Sequence, residues 1–178
     1  MPFSEGWRDH YDRMLRSRRR LAEAAGPSSI GSDEARDHLY HFFQDSYHLK
    51  DWLVNDPSLG FTPAAKQALE RHITATRALA NCADLCNGTK HLVLNNPRVP
   101  GTPANLASQS VSVTLGAFET VSEFGPSVKE LATPPADATT AEHLWLVEFD
   151  GHYYDAANLA DEVVAEWQNL LRVQGLIY

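Results

Sequence analysis

The hydrophobic pattern of this chain changes period after Pro103, and that change restricts it to folds that join a helical part to a sheet. Before it, apolar residues recur at helical spacing between strong breakers: Gly26-Pro27, Asn55-Asp56-Pro57 and Asn95-Asn96-Pro97. These mark out helices from Trp7 to about Ala25, from Ser32 or Asp33 to about Val54, and from Pro63 to about Arg77. A fourth helix, or a kinked continuation of the third, covers Leu79 to Leu94. After Pro103, Ser110-Val111-Ser112-Val113-Thr114-Leu115 alternates apolar and polar as a half-buried strand does. The proline-rich stretch from Thr133 to Thr140 reads as a loop. His143 to Phe149 reads as a second strand, and Asp150-Gly151 is a two-residue hairpin signal leading into a third, His152-Tyr153-Tyr154. Asp155 or Asn158 caps a last helix that runs to about Val173. The expectation is an α+β fold in a single domain over residues 1–178. Its helical bundle, of four to five helices in all, spans 7–95, and a small three-stranded antiparallel meander with the C-terminal helix spans 108–173.

Charge and composition narrow the function classes. The formal net charge is −8 and the pI about 5.4, so the molecule as a whole repels polyanions, and generic DNA binding is disfavoured. The one basic run is Arg13, Arg16, Arg18, Arg19 and Arg20, with Trp7 and Tyr11 nearby as candidate base-stacking rings. No apolar run approaches the roughly 18 residues a membrane span needs, and the first residues lack a charged region followed by an apolar core; the expected compartment is the cytoplasm. Cys82 and Cys86 lie four apart in a helical pattern with no second pair to complete a zinc site, so both are expected reduced and packed. No glycine-rich phosphate loop and no nucleophile elbow is present, and no cofactor is expected.

Two polar stripes interrupt otherwise apolar helices. On the second helix, Leu39, Phe42, Phe43, Leu49, Leu53 and Val54 form the apolar side, while His38, His41, Asp45, His48 and Trp52 share a narrow flank. On the fourth, Asp84, Asn87 and His91 are spaced three then four apart, with Lys90 beside them and Gly88 leaving space. Asn and Gly both lower helix propensity, and such a local conflict marks functional sites. Were the stripes to face each other, His48, Asp45 or Asp51, Asp84, Asn87, Lys90 and His91 would converge. An imidazole near neutrality moves a proton, a carboxylate fixes its tautomer, and Lys and Asn stabilise an anion.

The segment Asp84-Leu85-Cys86-Asn87-Gly88-Thr89-Lys90-His91 resembles the signature region of HEPN-domain proteins, small helical bundles common in toxin–antitoxin and defence systems. Many of these are metal-independent ribonucleases whose motif is an Arg, often followed directly by a polar residue, and then a His with four to six residues between it and the Arg. Asn87 and His91 match the polar residue and the histidine; Cys86 stands where the Arg would be. The resemblance implies RNA binding or cleavage and a homodimer. It makes His91 the acid–base or phosphate-orienting residue, Asn87 and Lys90 phosphate contacts, and Asp84 and His48 the supporting shell. The departure at Cys86 removes the bidentate guanidinium that would steady a phosphate, which a Lys does not replace.

Two other classes fit the same residues. His41, Asp45, His48, Asp84 and His91 form a pool of metal ligands, Asp45 and His48 sharing the i, i+3 spacing of helical-bundle metalloenzymes. An acidic surface with the aromatic meander residues Trp145, Phe149, Tyr153 and Tyr154 also suits a non-catalytic module that binds a protein partner.

Overall fold

A computed structural model describes residues 5–28, 30–90, 104–115, 118–124 and 140–178. Helix α1 (Trp7–Ala25) begins at Gly6, whose N–H donates to Asp9 Oδ2 at 2.8 Å. The Trp7 N–H donates to Asp56 Oδ2 at 2.9 Å, tying this start to the end of α2 (Ser32–Asn55). A Cβ at Gly6 would lie 2.9 Å from the same carboxylate oxygen, so a larger residue there would push the Asp56 side chain off this contact. The buried residues of α1 are Trp7, His10, Met14, Ser17, Leu21 and Ala24, alternately three and four apart, so one stripe faces the core. Contacts from Trp7 to Asp56, His10 to Trp52 and Ser17 to Asp45 run in opposite sequence directions, so α1 and α2 lie antiparallel.

Thr62 caps α3 (Pro63–Ala75), its hydroxyl accepting from the Ala65 N–H at 3.2 Å. The extended backbone at Thr76 ends it, and α4 (Arg77–Lys90) starts with the next residue. Every residue from Ala78 to Cys86 is buried. Alternation of Ala and Cys with larger side chains lets α2, α3, α5 (Ala156–Val173) and the sheet all approach this helix. Between Ala78 and Cys86 no face is left to solvent where a polar residue escapes burial, which makes Asn81 and Asp84 conspicuous.

The antiparallel sheet contains β1 (Asn105–Leu115), β2 (Phe118–Phe124), β3 (Thr140–Phe149) and β4 (His152–Asp155), in the order β2-β1-β3-β4. The α+β architecture is the one the patterning predicts, with β1, β3 and β4 as the three strands read from it. Strand β2 extends the sheet on the far side of β1, pairing Leu115 with Phe118 and Ser110 with Glu123, and β1 begins at Asn105 rather than Ser110. The Asp150-Gly151 hairpin forms as expected, with φ of 53° and 71° at its two central residues. Ala141, His143, Trp145, Val147 and Phe149 of β3 alternate inward, and Trp145, Val147 and Phe149 join Trp167, Phe42, Phe43 and Leu79 in one contiguous core. Backbone bonds between Ser28 and Ala141 pin the segment after α1 to β3. No helix among the described residues is long and apolar enough to cross a membrane.

Candidate functional site

The densest polar contacts lie in the seam between α1 and α2. Asp45 accepts from Ser17 Oγ at 2.6 Å and pairs with Arg13, whose Nε is 3.3 Å from Oδ1. Arg13 donates from Nη2 to His10 Nδ1, and His10 Nε2 donates to the Asp45 backbone carbonyl at 2.7 Å. An arginine has no acceptor, so the first contact requires a bare Nδ1 and fixes His10 as the Nε2–H tautomer. Burial, the largest cause, lowers the His10 pKa; the charge of Arg13 and neighbouring His48 lower it further, against the opposing pull of the Asp45 carbonyl and carboxylate. His10 is therefore a neutral, fully engaged brace. The Trp52 ring stacks on it at 5.0 Å and also lies 5.6 Å from the Arg13 guanidinium. Arg13 keeps 41% of its side-chain surface exposed, so the seam presents a cation held from three sides.

His48 lies one turn beyond Asp45 and is half-buried, its Nε2 3.9 Å from Cys86 Sγ. Cys82 Sγ donates to the Phe43 carbonyl at 3.5 Å, and Gln44 Nε2 donates to Thr89 Oγ1 at 3.0 Å. The face of α4 turned to α2 is thus Cys82, Cys86 and Thr89. At about 100° per residue, Asp84 is roughly 160° and Asn87 roughly 100° around the helix from Cys86. His48 consequently meets the cysteine side of α4, not the stripe of Asp84 and Asn87. Asp84 is fully buried and Asn87 half-buried; Lys90 is the last residue of α4, and His91 lies outside the described residues. Burial, with Cys86 beside it, pushes the Cys82 thiol well up, so it is no ready nucleophile, and both cysteines are reduced and buried as expected.

The proposed metal pool does not assemble among the described residues. His41 is exposed, Asp45 is turned to Arg13 and Ser17, His48 to Cys86, and Asp84 is inside α4. No group of three or more His, Cys, Asp or Glu among the described residues is placed to hold a metal ion. The basic run divides: Arg13 joins the seam, Arg18 pairs with Asp161 of α5 at 2.7 Å, and Arg19 approaches Glu23 at 4.0 Å. Trp7 is a core residue, so it is not available to stack on a base. In the sheet, Trp145 and Phe149 are core while Tyr153 is exposed.

The residues that sequence reasoning overlooked are His10 and Ser17. They occupy positions of the α1 stripe otherwise filled by Trp7, Met14 and Leu21, and a His and a Ser in a three-four apolar repeat are the visible signal. Comparison of the chain with protein-family models, curated proteins and solved structures finds no match.

Proposed function

We propose that this protein is a HEPN-like RNA-binding domain of the metal-independent ribonuclease type, with its phosphate contact supplied by α1. The observation that carries this reading is the position of Arg13. Cys86, which stands at the motif's arginine position, touches His48; Arg13 bonds to Asp45 one turn away on the same flank of α2. The Arg13 guanidinium, braced by His10, Asp45 and Trp52 and still 41% exposed, is a cation offered on the flank of α2 that also carries His48. Bracing matters because a pre-positioned guanidinium loses little freedom on gripping a phosphate.

In this reading Arg13 orients the phosphate, His91 is the acid–base residue that the resemblance implies, and His48 belongs to the supporting shell. Asn87 and Lys90 contact the backbone, and buried Asp84 supports α4 from within. His10 takes no proton-transfer role, since both of its nitrogens are committed. The cationic patch is small, so binding is weak and salt-sensitive.

The test is binding and cleavage of a short single-stranded RNA by wild type and by Arg13→Gln, His48→Gln and His91→Ala, each first checked for an unchanged circular dichroism spectrum. Arg13→Gln is expected to weaken binding and reduce its salt dependence, and either histidine change to reduce cleavage while sparing binding. RNA binding and cleavage untouched by all three changes would sink the reading.

A further inference from the structure

A second polar site lies on another side of α4, and none of His10, Arg13, Asp45 or His48 lines it. Asn81 is fully buried, yet neither its Nδ2 nor its Oδ1 has a hydrogen-bond partner among the described residues. It forms part of the wall of a cavity of about 270 Å³ between the start of α4, the β3–β4 hairpin and the start of α5. Buried amides are almost always satisfied, and leaving one unpaired is costly, so a group that pairs only with a ligand is the physical explanation that the cavity supplies.

The walls indicate the ligand's shape. Phe149 and Tyr154 stack with ring centroids 3.9 Å apart and 7° between planes. The Arg77 guanidinium lies 4.7 Å from the first ring and 5.3 Å from the second, and donates to the Tyr154 hydroxyl at 2.9 Å. This flat edge of rings and guanidinium matches a planar guest. The remaining polar wall is Asn158, Glu162 and Asp155, the last already capping α5 through the Ala157 N–H at 2.7 Å. Two carboxylates against one guanidinium favour amino groups over phosphate. The volume lies just under the range of drug-sized pockets, which fits one heterocycle or a nucleoside.

We propose that this cavity binds an amino-bearing nucleobase, with adenine the best match. The side-by-side donor and acceptor of Asn81 pair with the adenine N6 amino group and N7, the arrangement by which Asn reads that base elsewhere. The base would lie along the Arg77, Phe149 and Tyr154 surface. This goes beyond the RNA reading, because a free nucleoside and a base within a strand offer the same chemistry here.

The experiment is titration calorimetry with adenosine, N6,N6-dimethyladenosine and hexa-adenylate RNA, on wild type, Asn81→Leu and Arg77→Ala. Adenosine is expected to bind wild type. The dimethyl analogue, which keeps the ring and loses the amino protons, is expected to bind at least tenfold more weakly, and Asn81→Leu to lose at least tenfold for adenosine. Exposed Arg77→Ala, which leaves the core alone, is expected to lose severalfold and keeps the proposal testable if Asn81→Leu fails to fold. A gain for hexa-adenylate that Asn81→Leu removes assigns the pocket to a strand's base; equal affinity for adenosine assigns it to the free nucleoside. No binding of either, or binding that survives both substitutions, overturns the proposal, and Arg13→Gln, which tests the RNA reading, should leave adenosine affinity unchanged.

Discussion

Replacing Asp45 by Ala removes the carboxylate that holds the α1–α2 seam and leaves its backbone carbonyl, so the His10 Nε2 contact persists while two others are lost. The Ser17 hydroxyl, in a residue only 5% exposed, loses a charged acceptor at 2.6 Å. Hydrogen bonds to charged groups contribute about 1.5–3 kcal/mol. The Arg13 pair is closer to solvent, with side-chain exposures of 41% and 20%, and adds only about 0–1 kcal/mol. The sum is about 1.5–4 kcal/mol, or roughly 3–16 °C in Tm for a chain of this length. Thermal and urea melts at pH 7 measure it. Adding Ser17→Ala separates the parts: once the hydroxyl is gone, Asp45→Ala should cost only the ion pair, giving a coupling of at least about 1 kcal/mol. High salt should erode the Arg13 share and spare the Ser17 share. A loss under about 1 kcal/mol, or two substitutions that simply add, would refute the reasoning.

Other outcomes follow from the same structure. Burial lowers the pKa of both His10 and His143, with the Ile30 carbonyl at 3.1 Å opposing the effect at His143. Each takes up its proton at lower pH in the native state than in the unfolded chain, where histidine titrates near 6.5, so their contribution is complete above that pH and is lost as pH falls toward the lowered native values. The slope reaches at most about 1.4 kcal/mol per pH unit for each, and urea melts from pH 7.5 to 5 should flatten in His143→Phe. Trp167→Ala, at a ring 1% exposed, should cost about 3–5 kcal/mol by urea denaturation. Asp155→Ala removes the cap of α5 and should cost about 1 kcal/mol in the same assay.

The helices were legible because prolines and asparagines punctuate them and their apolar residues keep helical spacing. Strand β2 was not, for a physical reason. In Phe118-Glu119-Thr120-Val121-Ser122-Glu123-Phe124 the apolar residues fall three apart, a helical interval, and the strand is fixed by pairing with β1 instead. The site was half legible. Wheel geometry grouped His38, His41, Asp45, His48 and Trp52 on one flank of α2, but a wheel describes a helix and not its neighbours. Asp45 and Trp52 turned to α1, and His48 met the cysteine side of α4. His91 and the loop reading over 133–139 fall outside the described residues, and Thr140, the last residue of that reading, begins β3.

Helix α4 also allows function and structure to be separated by sign. Asn81 and Asp84 are both fully buried, and their energetic positions differ: Asp84 has a partner, whereas neither amide atom of Asn81 has one among the described residues. A residue kept for stability loses stability when changed. Asn81→Leu instead removes an unpaired buried amide, puts a better helix former in its place, and should leave the Tm unchanged or raise it. Asp84→Leu strands whatever the carboxylate bonds to and should lower the Tm. If Asn81→Leu is as damaging as Asp84→Leu in thermal melts, then Asn81 is held by the fold itself and the cavity beside it needs no ligand to explain the amide.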